Sequence, residues 1–129
     1  MKQLFLSSLF ILCLSSTAFS GEVDVVAVEL EKGNDGIYRF DVTLRHTDIG
    51  WDHYADRWEV LAPDGTTLGT RVLAHPHVDE QPFTRSLSGV KIPKDVKKVE
   101  IRGHDSVHAF GGKTMVVDLN ESPPLSPIQ

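Results

Sequence analysis

Residues 38–45 alternate without a break. Tyr38, Phe40, Val42 and Leu44 are apolar, and Arg39, Asp41, Thr43 and Arg45 are polar. A period of two puts each set on one face of an extended chain, so this segment is a half-buried β-strand that needs a second layer to cover it. Related stretches recur along the chain. Val23 and Val25 give way to Val26, Val28 and Leu30, a phase shift that predicts a bulge in the preceding strand. Gly33-Asn34-Asp35-Gly36 between the two segments is a hairpin turn.

Further strands are expected at Trp58 to Leu61, Leu68 to Ala74, Phe83 to Val90, Val99 to Ile101 and Met115 to Leu119. Pro63-Asp64-Gly65 and Ile92-Pro93-Lys94-Asp95 supply two more corners. No stretch of useful length has a 3.6-residue apolar period, and no 20–50-residue repeat is visible. About seven short strands in roughly one hundred residues predict a single immunoglobulin-like antiparallel β-sandwich. A small closed barrel is the alternative.

Residues 1–20 read as an export leader: Lys2, an apolar run from Leu4 to Leu14, and Ala18-Phe19-Ser20 as a small-x-small cleavage signal. The run is about half the roughly 20 residues a membrane span needs, so no membrane insertion is expected after cleavage. Gly21 or Glu22 then begins the mature chain, the sandwich occupies 21–120, and the Pro-rich residues 121–129 form a flexible tail. Cleavage removes Cys13, the only cysteine, and with it disulfides and thiolate chemistry. It leaves 12 basic against 18 acidic residues, a net charge of −6 with histidines neutral. That balance argues against nucleic acid as a partner. The expected location is periplasmic or secreted.

The six histidines fall in three segments: His46 and His53, His75 and His77, and His104 and His108. If consecutive strands alternate in direction, the connections at 46–56, 75–82 and 103–113 emerge at one end of the sandwich, together with the mature N-terminus. The opposite end carries the tight turns and no histidine. Neutral imidazole binds zinc, copper, nickel and ferrous iron, and loops on a rigid scaffold can converge several rings on one ion. His75-Pro76-His77 is an HxH step whose rings project to one side of an extended chain. Asp52 and Asp105, with Asp48, Asp79 and Glu80, are oxygen ligands or acceptors that orient a ring. A nitrogen and oxygen donor set without sulfur favours zinc or cupric copper, with iron behind them. His46 also continues the apolar parity of its strand, which fits a buried core residue equally well.

The segment Asp52-His53-Tyr54-Ala55-Asp56-Arg57-Trp58-Glu59-Val60 resembles the His-Tyr-containing strand of superoxide reductases, the desulfoferrodoxins. The spacing of His46 and His53 is similar to that family's paired-histidine loop. Asp105-Ser106-Val107-His108 sits where its Cys-x-x-His pair is expected. The resemblance implies an immunoglobulin-like sandwich and a metal at the histidine end. Asp105 stands in place of the ligating cysteine and the upstream histidine loop is missing, so it does not imply superoxide reduction.

Three functions fit these residues. The first is a copper or zinc carrier or buffer that uses the histidine loops. The second is a non-enzymatic module that binds a periplasmic protein partner through Trp51, Tyr54, Phe83 and Phe110. The third is a metal-dependent enzyme in which a histidine, Asp52 or Asp105 and a bound water act together. No serine-nucleophile motif, phosphate-cradling glycine loop or zinc-protease helix is present.

Overall fold

A computed structural model describes residues 21–120; the leader expected at 1–20 and the flexible tail expected at 121–129 lie outside the described residues. The order of elements is β1 (Asp24–Lys32), a 3₁₀ turn (Asn34–Gly36), β2 (Ile37–Arg45), β3 (Ala55–Leu61), β4 (Thr67–Val72), β5 (Phe83–Lys91), β6 (Lys98–Asp105) and β7 (Met115–Asp118). They form two antiparallel sheets, β1-β2-β5 and β4-β3-β6-β7. The two sheets are separate, so the architecture is a sandwich and not a closed barrel.

Alternation drives this arrangement. Tyr38, Phe40, Val42 and Leu44 of β2 are buried, as are Val99, Ile101 and Gly103 of β6. Between the sheets they meet Trp58 and Val60 of β3 and Phe83 and Val90 of β5. Burying each of the larger side chains contributes roughly 1.5–3 kcal/mol relative to exposure. The register of β1 against β2 shifts between Val25 and Ala27, where the phase of the apolar pattern changes.

The observed β4 is shorter than the apolar pattern implied. It stops at Val72 and lies at the edge of its sheet with no fully buried residue. Among the described residues no helix is long and apolar enough to cross a membrane.

The same alternation extends beyond the strands that carry it. His46 and Asp48 follow Leu44 at two-residue intervals and are buried. Asp105 follows Gly103 in the same way and is fully buried. The core therefore ends, at one pole, in polar side chains.

A candidate metal centre at the histidine pole

His46 enters the pole from the end of β2 and Asp105 from the end of β6. His53 is delivered by a tight turn. Ile49 N donates to the His53 carbonyl at 3.1 Å and His53 N donates to the Gly50 carbonyl at 3.2 Å. Gly50 takes φ +130°, a backbone conformation that side-chain-bearing residues rarely adopt. Tyr54 N donates to Ser106 Oγ at 3.1 Å and Ser106 N to the Tyr54 carbonyl at 3.0 Å, which ties this loop to the one after β6.

The three side chains meet. Nε2 of His46 lies 3.2 Å from Nε2 of His53. It is 3.5 Å from Asp105 Oδ2, and His53 Nε2 is 3.5 Å from Asp105 Oδ1. One ligand atom from each residue falls within 4.8 Å of the other two. An ion bound tetrahedrally at about 2.0–2.1 Å separates its ligand atoms by about 3.4 Å. The observed spacings are of that size.

Protonation explains why this cluster suits a cation. Asp48 is buried, and its Oδ1 accepts from Ala55 N at 3.0 Å while its Oδ2 accepts from His77 N at 2.7 Å. The carboxylate also sits 2.5 Å from His46 Nδ1 and can only accept there, so that nitrogen carries a proton. In the neutral imidazole, Nε2 then holds a lone pair. Around it stand the Gly21 carbonyl oxygen at 2.7 Å, His53 Nε2 and Asp105 Oδ2. Each of these is an electron-pair donor, so the cluster repels itself unless a proton or a metal ion lies between them.

Asp105 is prepared for that task. Burial raises its carboxyl pKa, but N–H groups of His108 and Val107 and the nearby His46 and His108 outweigh this and hold it below the ordinary carboxylate range. His108 N and Val107 N donate to Oδ1 at 2.5 and 2.8 Å. Oδ2 faces His46 and, at 3.3 Å, Nδ1 of His108. The His108 ring lies 4.9 Å from the His53 ring and is 36% exposed, on the open side of the cluster.

The other candidates lie elsewhere. His77 is buried, stacked on Phe83 with ring centroids 4.0 Å apart and planes 8° from parallel. Neither of its ring nitrogens has a hydrogen-bond partner among the described residues. Burial first, then Arg85 and His75, holds its pKa below the ordinary imidazole value, against the pull of Asp48 and Glu80. The exposed His75 ring lies 4.6 Å from the His77 ring. His104 points away from the core, 2.5 Å from Asp56 and edge-on to Phe110. Asp52 and Asp79 are exposed, and Glu80 pairs with Arg85 at 3.2 Å. His46, His53 and Asp105 therefore stand close enough together to hold one ion, with His108 adjoining, while His75, His77 and His104 occupy other surroundings.

Of the two roles expected for Asp48, oxygen ligand or acceptor that orients a ring, its place fits the second: it lies beneath the cluster against His46 Nδ1 and accepts from the backbone of the loop before β5. Gln81 was missed. It accepts from His46 N at 3.0 Å through Oε1 and donates to the His77 carbonyl at 2.9 Å, closing the same loop against β2. The Gly21 carbonyl was also missed as part of the site. Parity, two residues beyond His46, was the available signal for Asp48, and the expected mature N-terminus at the histidine end was the one for Gly21; no sequence pattern marks Gln81.

No family model matches the chain, and no solved structure matches it; neither comparison links it to the superoxide reductases. The chain is similar to a protein of Halomicrobium mukohataei named "Putative lipoprotein", at 44% identity over 97 residues. The match covers 75% of this chain and 47% of that protein, so the chain spans about half the length of its relative.

Proposed function

We propose that this is an exported protein that binds a divalent metal ion at His46, His53 and Asp105 and serves as a carrier or buffer for copper or zinc. The observation that carries the reading is the meeting of donor atoms from the β2–β3 connection and the end of β6, with His46 Nδ1 held by Asp48 in the tautomer that leaves a lone pair on Nε2. Two imidazoles and a carboxylate suit Zn(II) and Cu(II); ferrous iron takes such a set as well. Export is supported by the leader signals at residues 1–20 and by the name of the Halomicrobium mukohataei relative, whose lipoprotein description implies attachment to or passage across an envelope.

Calorimetric titration of the chelator-treated mature protein with Zn(II), Cu(II) and Fe(II) tests the proposal. One equivalent of Zn(II) or Cu(II) with a raised melting temperature, lost in His53→Ala, is the expected result. Binding no tighter in wild type than in His53→Ala would sink it.

A second reading has an observation of its own. Ile49 and Trp51 are each 67% exposed, and Val78 and Val107 are also largely exposed. All four belong to the three loops of the histidine pole, and so would a surface that docks a protein partner. Of the aromatics first considered for it, Trp51 and Tyr54 remain, with rings 5.5 Å apart. Phe83 is buried, and Phe110 lies under Arg102, 3.6 Å from its guanidinium.

A further inference from the structure

The donor cluster has a wall that no side chain supplies. Gly21 turns its carbonyl oxygen to within 2.7 Å of His46 Nε2. A Cβ on this residue would stand 3.1 Å from Cε1 of His108 and 3.3 Å from Cε1 of His53, so its backbone lies directly against the rings. Its φ of +71° suits glycine.

The position is held from behind. Val23 is buried beneath β6, where any side chain at Gly103 would overlap it, and a Cβ at Gly112 would collide with the Val23 carbonyl. Val25 N donates to the Lys113 carbonyl at 2.8 Å, and Lys113 N donates to Asp24 Oδ1 at 2.8 Å. The segment entering β1 is therefore clamped between β6 and the β6–β7 loop, with Gly21 aimed at the cluster.

Gly21 is also the residue that follows the small-x-small signal Ala18-Phe19-Ser20. We propose that export processing completes the metal site. Hydrolysis of the Ser20–Gly21 peptide bond by a leader peptidase adds hydroxide to the Ser20 carbonyl and a proton to the Gly21 nitrogen. The new α-amine and the Gly21 carbonyl oxygen close a five-membered chelate on the ion held by His46, His53 and Asp105.

Before cleavage the same nitrogen is a peptide amide whose lone pair is delocalised into the carbonyl, and it ligates only if it first loses its proton. After cleavage it is an amine that gives up one proton on binding. The precursor thus offers an incomplete site, and the full one forms only on the exported protein. This inference rests on the metal-binding reading and on the leader reading.

The test uses three proteins recovered by export, each with its first residue fixed by intact mass. They are the wild type, a chain with two extra residues retained before Gly21, and His53→Ala. Each is titrated with Cu(II), and its electron paramagnetic resonance spectrum is recorded with and without isotopic labelling of glycine nitrogen. The wild type is expected to begin at Gly21, to bind one Cu(II), and to change its nitrogen hyperfine pattern on labelling. The extended chain is expected to bind at least about 10-fold more weakly and to show no labelling effect.

Equal affinity and identical spectra for the wild type and the extended chain would overturn the amine ligand while leaving the metal site intact. A mature chain that begins elsewhere than Gly21 would overturn it too. Failure of the wild type to bind more tightly than His53→Ala would remove the metal reading and this inference together.

Discussion

Two histidine pairs sit at the same pole and meet opposite surroundings. His46 and His53 face a carboxylate and each other through Nε2 at 3.2 to 3.5 Å, and His46 Nε2 also faces a carbonyl at 2.7 Å. His77, beside the exposed His75, lies flat on Phe83 with both ring nitrogens sealed from partners. The first pair is organised to receive a positive charge. In the second, His77 is organised to stay neutral, because charging its buried ring carries a desolvation penalty and Arg85 adds repulsion. An HxH step is no indication of chelation when one of its rings is used as a flat apolar side chain.

Asp48 is where the two pairs are joined, so its loss is expected to do most damage. Asp48→Ala strands His46 Nδ1 and the N–H groups of Ala55 and His77 at once. Unfolding by denaturant should register a loss of about 3–5 kcal/mol, the range for removing one partner of a buried charged network. A loss under about 1 kcal/mol would mean the two pairs are held independently.

His53→Ala separates binding from stability. His53 is partly exposed, so the fold should lose no more than about 1 kcal/mol. Affinity for Zn(II) or Cu(II) should fall by more than the 10–100-fold typical of an outer partner. Calorimetry at fixed pH reads both halves of the contrast when paired with a thermal melt.

His77→Phe is the converse. Metal affinity should stay within about 2-fold of wild type, and the pH dependence of stability should change. The folded-state pKa of His77 is depressed, so above about pH 6.5 both folded and unfolded states are neutral and the contribution of this group is fully present. As pH falls below that point, the unfolded chain takes up a proton first and stability drops until the folded state titrates as well. Denaturation curves between about pH 7.5 and 5 should show a shallower decline in His77→Phe than in wild type. An unchanged slope would mean the sealed pocket is not what keeps His77 neutral.

The smallest effect belongs to His104, which points away from both pairs. Its pair with Asp56 is near the surface, and His104→Ala should cost roughly 0.2–1 kcal/mol with metal binding unaltered. A drop in affinity there would extend the site well beyond the pole's central cluster.

Much of this molecule follows from local pattern. The alternation of Tyr38 to Leu44 determined β2, and the phase change after Val25 located the irregularity in β1. Strand parity brought the three histidine-bearing connections to one end, and it carried His46, Asp48 and Asp105 inward by the same two-residue step as the core. What parity cannot specify is the path of a connection after its strand ends. The turn at Ile49 to His53, the stacking of His77 on Phe83, and the approach of Gly21 to the rings each depend on contacts between segments far apart in sequence. The residue types that can ligate a metal were therefore written in the chain, but the gathering of His46, His53 and Asp105 apart from the other histidines was decided by tertiary packing, which set the distances between their side chains.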